Sequence, residues 1–271
     1  MSVLPGNSAD ERLEKLYDLV ANEEDARSCR DIDDSACRWV PRNFFVYLAS
    51  AVLTKLGDAL ASPKTVIAWV MATVGAPVGM VAMLVPIRES GSMLPQLLLG
   101  QWVRQREMRK PIWIAGSLLQ AAAILGCAAA AAFTTGALAG WIILGCLVVF
   151  SLARSLNSLA SKDIIGKTIP KGRRGRLSGW ASGISGVFVL AVGVWFALGK
   201  QQDKDVVFYA ILLAAAGSLW LLAALIFSNL RETPGETEGG ANGWREAWGQ
   251  LALLKTDAPF RRFVITRGLL L

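Results

Sequence analysis

From residue 44 onward the chain alternates long apolar runs with short polar clusters. Four runs, 112–133, 138–157, 177–198 and 206–228, each come near the roughly 20 residues a helix needs to cross a bilayer core. A fifth uncharged stretch, 65–86, can be read as one span, which gives five helices and an external N-terminus. Breaking it at Gly75-Ala76-Pro77, which suits a tight turn, gives two helices instead, 42–72 and 77–103. We adopt the second reading, because five helices carry the polar residues 1–43 across the membrane and leave FFVYLASAVLT (44–54) without a place. Ahead of the bundle, Leu13, Leu16, Tyr17 and Val20 recur at i, i+3, i+4 and i+7 within 8–22. That spacing predicts an amphipathic surface helix with Ser8 at its N-cap. The predicted fold is an all-α membrane protein: an N-terminal amphipathic cytoplasmic region (1–41) and a six-helix transmembrane bundle (42–230).

Composition agrees. Hydrophobic residues make up 54% of the 271-residue chain and charged ones 18%, with 26 Gly besides. That leaves too little polar surface to cover a soluble body. Histidine is absent, which removes any catalytic or metal-ligating His. No acidic cluster suggests a metal, so neither metal nor cofactor is expected and an enzyme is the weakest reading. The four cysteines, Cys29, Cys37, Cys127 and Cys146, show no CxxC spacing and read as reduced, structural thiols.

The net charge of +7 is unevenly placed. Residues 1–43 hold ten acids and six bases, a net of −4, which leaves 22 bases and 11 acids, a net of +11, for the rest. Those bases cluster between apolar runs, as Arg104, Arg106, Arg109 and Lys110, and as Lys162, Lys167, Lys171, Arg173, Arg174 and Arg176. Both clusters fall on one side of the predicted bundle. The opposite loops are uncharged (134–137) or balanced (199–205). The asymmetry marks the basic side as cytoplasmic and argues for a lipid bilayer, not nucleic acid, as the partner of this basic chain. It places the N-terminus and residue 231 onward inside a multi-pass protein of the cell membrane.

Five charges lie within the predicted helices: Lys55, Asp58, Arg88, Glu89 and Arg154. An ionised side chain in hydrocarbon costs several kcal/mol, so each needs a partner or a wet cavity. At ~1.5 Å per residue, Lys55, Asp58, Glu89 and Arg154 all lie about 16–24 Å from the cytoplasmic helix ends. They form one layer near the midplane. Polar stripes run through it: Tyr47, Ser50, Thr54, Asp58 and Ser62 on the first helix, Glu89, Ser92 and Gln96 on the second, and Ser151, Arg154, Ser158 and Ser161 on the fourth. Such stripes face a bundle interior or a water-filled path. Asp58 is the candidate site for a proton or a cationic group, with Arg154 tuning it. Lys55, Arg88 and Glu89 read equally as structural pairs, and Lys55 and Asp58 are spaced to pair locally. Gly179, Gly183 and Gly186 give the fifth helix a smooth face for close helix packing. Trp102, Trp113 and Trp141 sit near helix ends, where indole rings anchor at the interface.

Several of these features resemble the major facilitator superfamily. The first helix carries Gly57-Asp58-Ala59-Leu60 and Ser62-Pro63, and a Gly-Ala-Pro turn leads to the second. The fourth contains Arg154-Ser-Leu-Asn157-Ser-Leu-Ala, similar to that family's pattern of Arg followed three residues on by a polar residue. Asp163 through Pro170 to Arg173-Arg174-Gly175-Arg176 resembles the acidic–Pro–Arg-Gly entry to its fifth helix. Between helices two and three Gly100 and Arg109 fit, whereas Arg104 stands at the family's Asp position and Glu107 at its second Gly. The resemblance covers roughly residues 42–230. It implies a secondary transporter moving a small solute by alternating access. Asn157 then joins the candidate site, and Gly100, Arg104, Arg109, Asp163, Arg173 and Arg176 form a cytoplasmic gate. It also implies twelve helices in two halves. On that basis 231–271 is a cytoplasmic central linker plus the start of a seventh helix. The partner is the missing C-terminal half or a second copy. The alternative is a non-transporting membrane scaffold or assembly subunit.

Overall fold

A computed structural model describes residues 12–14, 16, 17, 32, 34–198, 205–235, 237, 256–259, 261, 262 and 266. Among them no strand occurs. After one helical turn, Asp34–Cys37, come seven helices: α1 (Val40–Leu60), α2 (Val66–Thr73), α3 (Val78–Arg104), α4 (Lys110–Phe133), α5 (Gly136–Thr168), α6 (Lys171–Leu198) and α7 (Val206–Phe227). Four of them, α4 to α7, are long and apolar enough to cross a membrane. By the same measure α1 and α3 fall short. α1 carries Arg42, Lys55 and Asp58, and α3 carries Arg88, Glu89, Arg104 and two internal prolines.

The element boundaries have local causes. The expected helix 42–72 is broken into α1 and α2 by a turn at 61–65. Pro63 disfavours helical geometry at Ser62 and withholds an N–H, so the chain restarts at Val66. α2 then ends at Gly75, whose φ of 75° lies in the left-handed region that a residue without Cβ enters at little cost. Pro77 follows, and α3 runs back alongside. The Gly136 N–H donates to the Val74 carbonyl at 2.6 Å, which ties this turn to the one between α4 and α5. The expected helices 138–157 and 177–198 both extend further, to Thr168 and back to Lys171. Their charged ends do not stop a helix in water; Pro170 does. α7 starts where the Asp205 carboxylate accepts from the Val206 N–H at 3.0 Å.

Packing joins α4 to α5 and α7, α3 to α5, and α1 to α6 and α7. The core is apolar, with Ile67, Met71, Leu84, Ile124, Leu147, Phe150 and Trp220 fully buried. Phe150 meets Trp220 edge-on at 5.1 Å. Ala121, Ala123, Ala128, Ala130 and Ala131 are buried on α4, where small side chains let neighbouring helices approach closely.

Of the predicted amphipathic helix 8–22, residues 12–14, 16 and 17 are helical, and the rest lies outside the described residues. Tyr17 is buried, edge-on to Phe44 at 5.5 Å, while Leu16 is exposed. Most of 231–271 also lies outside the described residues. Cys127 and Cys146 are free thiols, but Cys37 is disulfide-bonded, against the expectation of reduced cysteines.

Candidate functional site: a charged cavity between α1, α4, α5 and α7

Four helices present one face each to a common space. α1 supplies Tyr47, Ser50, Thr54 and Asp58, at steps of three and four along about 16 Å of helix, with Lys55 beside Thr54. α5 supplies Arg154, Asn157, Ser158 and Ser161; α4 supplies Trp113 and Gln120; α7 supplies Trp220 and Phe227. Together with Ala51 they line a half-open cavity of about 400 Å³.

Asp58 is the centre of its charge. Arg88 Nη2 donates to Oδ1 at 2.8 Å, and Arg154 Nη1 binds Oδ2. One carboxylate thus holds two guanidinium groups from different helices. Arg88 is nearly buried behind it, its guanidinium 4.3 Å from the Phe150 ring centroid. Arg154 remains 39% exposed on the cavity side. Lys55 does not pair with Asp58 one turn away. It donates to Ser182 Oγ on α6 at 2.7 Å. Glu89 does not join the cluster either: it lies 3.8 Å from Lys64, both side chains more than half exposed. The reason is helical geometry. Consecutive residues point about 100° apart, so Arg88 and Glu89 cannot both face Asp58.

The remaining expected residues divide in the same way. Tyr47, Ser50 and Thr54 line the cavity, with the Ser50 hydroxyl bonded to the Val46 carbonyl at 2.9 Å. Ser62 does not, because the chain has already left α1 there. Asn157 donates through Nδ2 to Ser117 Oγ at 2.8 Å. Its amide lies so close to Gly116 that a Cβ at 116 would overlap it. Trp113 is not an interfacial anchor. It is buried, donates through Nε1 to Ser161 Oγ at 2.9 Å and stacks on Phe227 at 3.7 Å. Trp102 and Trp141 are exposed. Gly179, Gly183 and Gly186 touch nothing within 4 Å of where their side chains would begin. α6 buries Leu177, Ala181 and Ser185, one face at steps of four, and leaves the glycines outside.

At the end of the bundle with the basic loops, Gly100, Arg104, Arg109, Lys162 and Asp163 line a second hollow of about 260 Å³. Arg109 and Asp163 form an ion pair, with Lys167 3.7 Å from the same carboxylate. Arg173 and Arg176 do not line it; Arg173 lies 5.1 Å over the Tyr17 ring, and Arg176 is exposed. The residue that sequence reasoning missed is Glu232, placed in the polar linker. Its side chain is fully buried. It accepts from the Arg109 N–H at 2.9 and 3.0 Å, from the Lys110 N–H at 2.7 Å and from Lys167 Nζ at 3.0 Å. A carboxylate at a helix N-terminus satisfies donors that lack intrahelical partners and complements the helix dipole. The only trace in sequence is its place, two residues past Leu230, where α7 has ended.

Searched against known protein families, curated proteins and solved structures, the chain matches none.

Proposed function

We propose that the chain is one half of a membrane carrier of the major facilitator type, with α1–α2 and α3 adding two crossings to the four apolar helices, and that it moves a small solute by alternating access. The observation that carries this reading is the cavity itself. Groups costly to place in lipid meet along the lengths of α1, α3 and α5, and the hydroxyls and amides around them line a space large enough for a small molecule. A scaffold has no need of an open polar cavity there, where an apolar core is cheaper. α6 supports the second part of the reading. Its outer face, with Trp180, Val187, Phe188, Leu190 and Trp195, is exposed, and the glycine stripe beside it is uncovered. Acyl chains can cover an apolar face, so what favours another helical bundle, from more chain or a second copy, is how little of α6 is buried: 17% of its apolar stretch against 44–56% in α4, α5 and α7.

The basic loops set the orientation: Arg104, Arg109, Lys162 and Arg173 face the cytoplasm, and the N-terminus joins them. The test is access from both sides. Thr54→Cys and Ser158→Cys, made in a chain without native cysteines, are treated with a membrane-impermeant maleimide in right-side-out and inside-out vesicles. Labelling from both faces is expected. Labelling from one face under every condition removes alternating access and leaves a one-sided polar pocket.

A further inference from the structure

We propose that the cavity takes a small organic dianion, such as a dicarboxylate or a phosphate monoester, rather than a cation. The inference rests on the carrier reading and narrows its solute. Asp58 was expected to bind a proton or cation, but both of its oxygens are already bound, by Arg88 and by Arg154. A cation entering the cavity meets one carboxylate and three fixed positive groups, Lys55, Arg88 and Arg154. Among the described residues no other acid lines the space, and Glu89 is held apart against Lys64. Three positive charges less one negative leaves a surplus of two. Arg88 and Asp58 largely cancel as a close pair, so the surplus falls on Arg154 and Lys55, the two cations lining the cavity. Unbalanced charge at membrane depth is costly, and a bound dianion relieves it. Guanidinium and ammonium groups also give carboxylate and phosphate oxygens charge-assisted hydrogen bonds. The lining hydroxyl of Ser158 lies one helical turn from Arg154 and can add a further donor.

The test is binding to the 271-residue chain in detergent, read from tryptophan fluorescence because Trp113 and Trp220 line the cavity. Succinate, inorganic phosphate and 1,4-diaminobutane are the probes. A saturable response to either dianion and none to the diamine is expected. Lys55→Gln, at a side chain held by an exposed hydrogen bond to Ser182, should weaken dianion binding about tenfold. Arg154→Gln should weaken it at least as much, and Asp58→Asn should tighten it by removing the negative charge that competes for the guanidiniums. A merely structural carboxylate predicts the opposite for Asp58→Asn. Saturable diamine binding, no dianion response from a chain that is still helical by circular dichroism, or no effect of either cation variant overturns the inference. Flux in liposomes separates the two claims. Dianion binding without flux leaves this inference standing and removes the carrier; diamine flux without dianion binding does the reverse.

Discussion

Glu232 places its carboxylate 2.7 Å from the backbone N–H of Lys110, across 122 residues of chain. The same group takes the Arg109 N–H and Lys167, so the end of α7, the start of α4 and the end of α5 meet on one buried charge. Nearby the Lys110 ammonium donates to the Leu230 carbonyl at 3.0 Å, and Asn43 and Arg231 exchange two hydrogen bonds of 2.8 and 2.9 Å. Glu232→Ala leaves two helix N–H groups without their acceptor and Lys167 with only the Glu107 carbonyl and Asp163. A buried donor left unpaired costs about 1–3 kcal/mol. The expected result is a lower thermal midpoint in detergent and faster proteolysis around residue 231. Glu232→Gln keeps an acceptor and should cost less. Equal midpoints for Glu232→Ala and the parent would show that this contact contributes nothing.

Asp58 predicts an order of effects within one triad. Asp58→Ala strands Arg88, which is nearly buried, and should be the most damaging, by about 3 kcal/mol or more. Arg88→Ala removes the buried partner and its packing on Phe150. Arg154→Ala should be mildest, because that side chain is 39% exposed and water takes over part of its role. Arg88→Ala combined with Asp58→Ala should recover part of the loss, since it removes the stranded charge. Thermal midpoints of the four variants, with helicity checked by circular dichroism, test the order. Arg154→Ala as the worst of the three singles contradicts it.

These two clusters differ in how far sequence alone reaches. Asp58 and Arg154 are legible because a charge inside an apolar run is costly, and helical rise places both at one depth. Arg88 and Glu89 are legible as charges but not as partners, since depth says nothing about which face each takes. The break at Ser62-Pro63 is hidden by the apolar residues that continue on both sides, although the proline carries the signal. The end of α5 and the start of α6 are hidden beyond the apolar runs because Lys162, Asp163 and Lys167, and then Arg173, Arg174 and Arg176, look like a loop when apolar length is the only ruler. Glu232 is invisible for a different reason: its partners are mostly backbone N–H groups, which have no signature in sequence.

Gly116 and Asn157 test the cavity wall. A methyl at 116 would overlap the Asn157 amide and stand 3.1 Å from the Ala153 carbonyl oxygen. α4 and α5 must then separate or Asn157 must turn into the cavity. Overpacking of this kind costs about 1–3 kcal/mol. Gly116→Ala should therefore lower the thermal midpoint, and Asn157→Ala in the same chain should restore most of it. A double-mutant cycle gives the coupling directly. Additive effects would mean that the two residues do not meet.

Charge and covalent chemistry point to opposite sides for the N-terminus. The proposed topology puts it with the basic loops on the cytoplasmic side, where thiols stay reduced. The Cys37 disulfide, in contrast, is chemistry of an oxidising compartment. The proposed even number of crossings requires the first, so a reporter fused at residue 1 is expected to show a cytoplasmic signal. An external signal would side with the disulfide. The number of crossings before residue 231 is then odd, which α1–α2 and α3 as two separate passes cannot give.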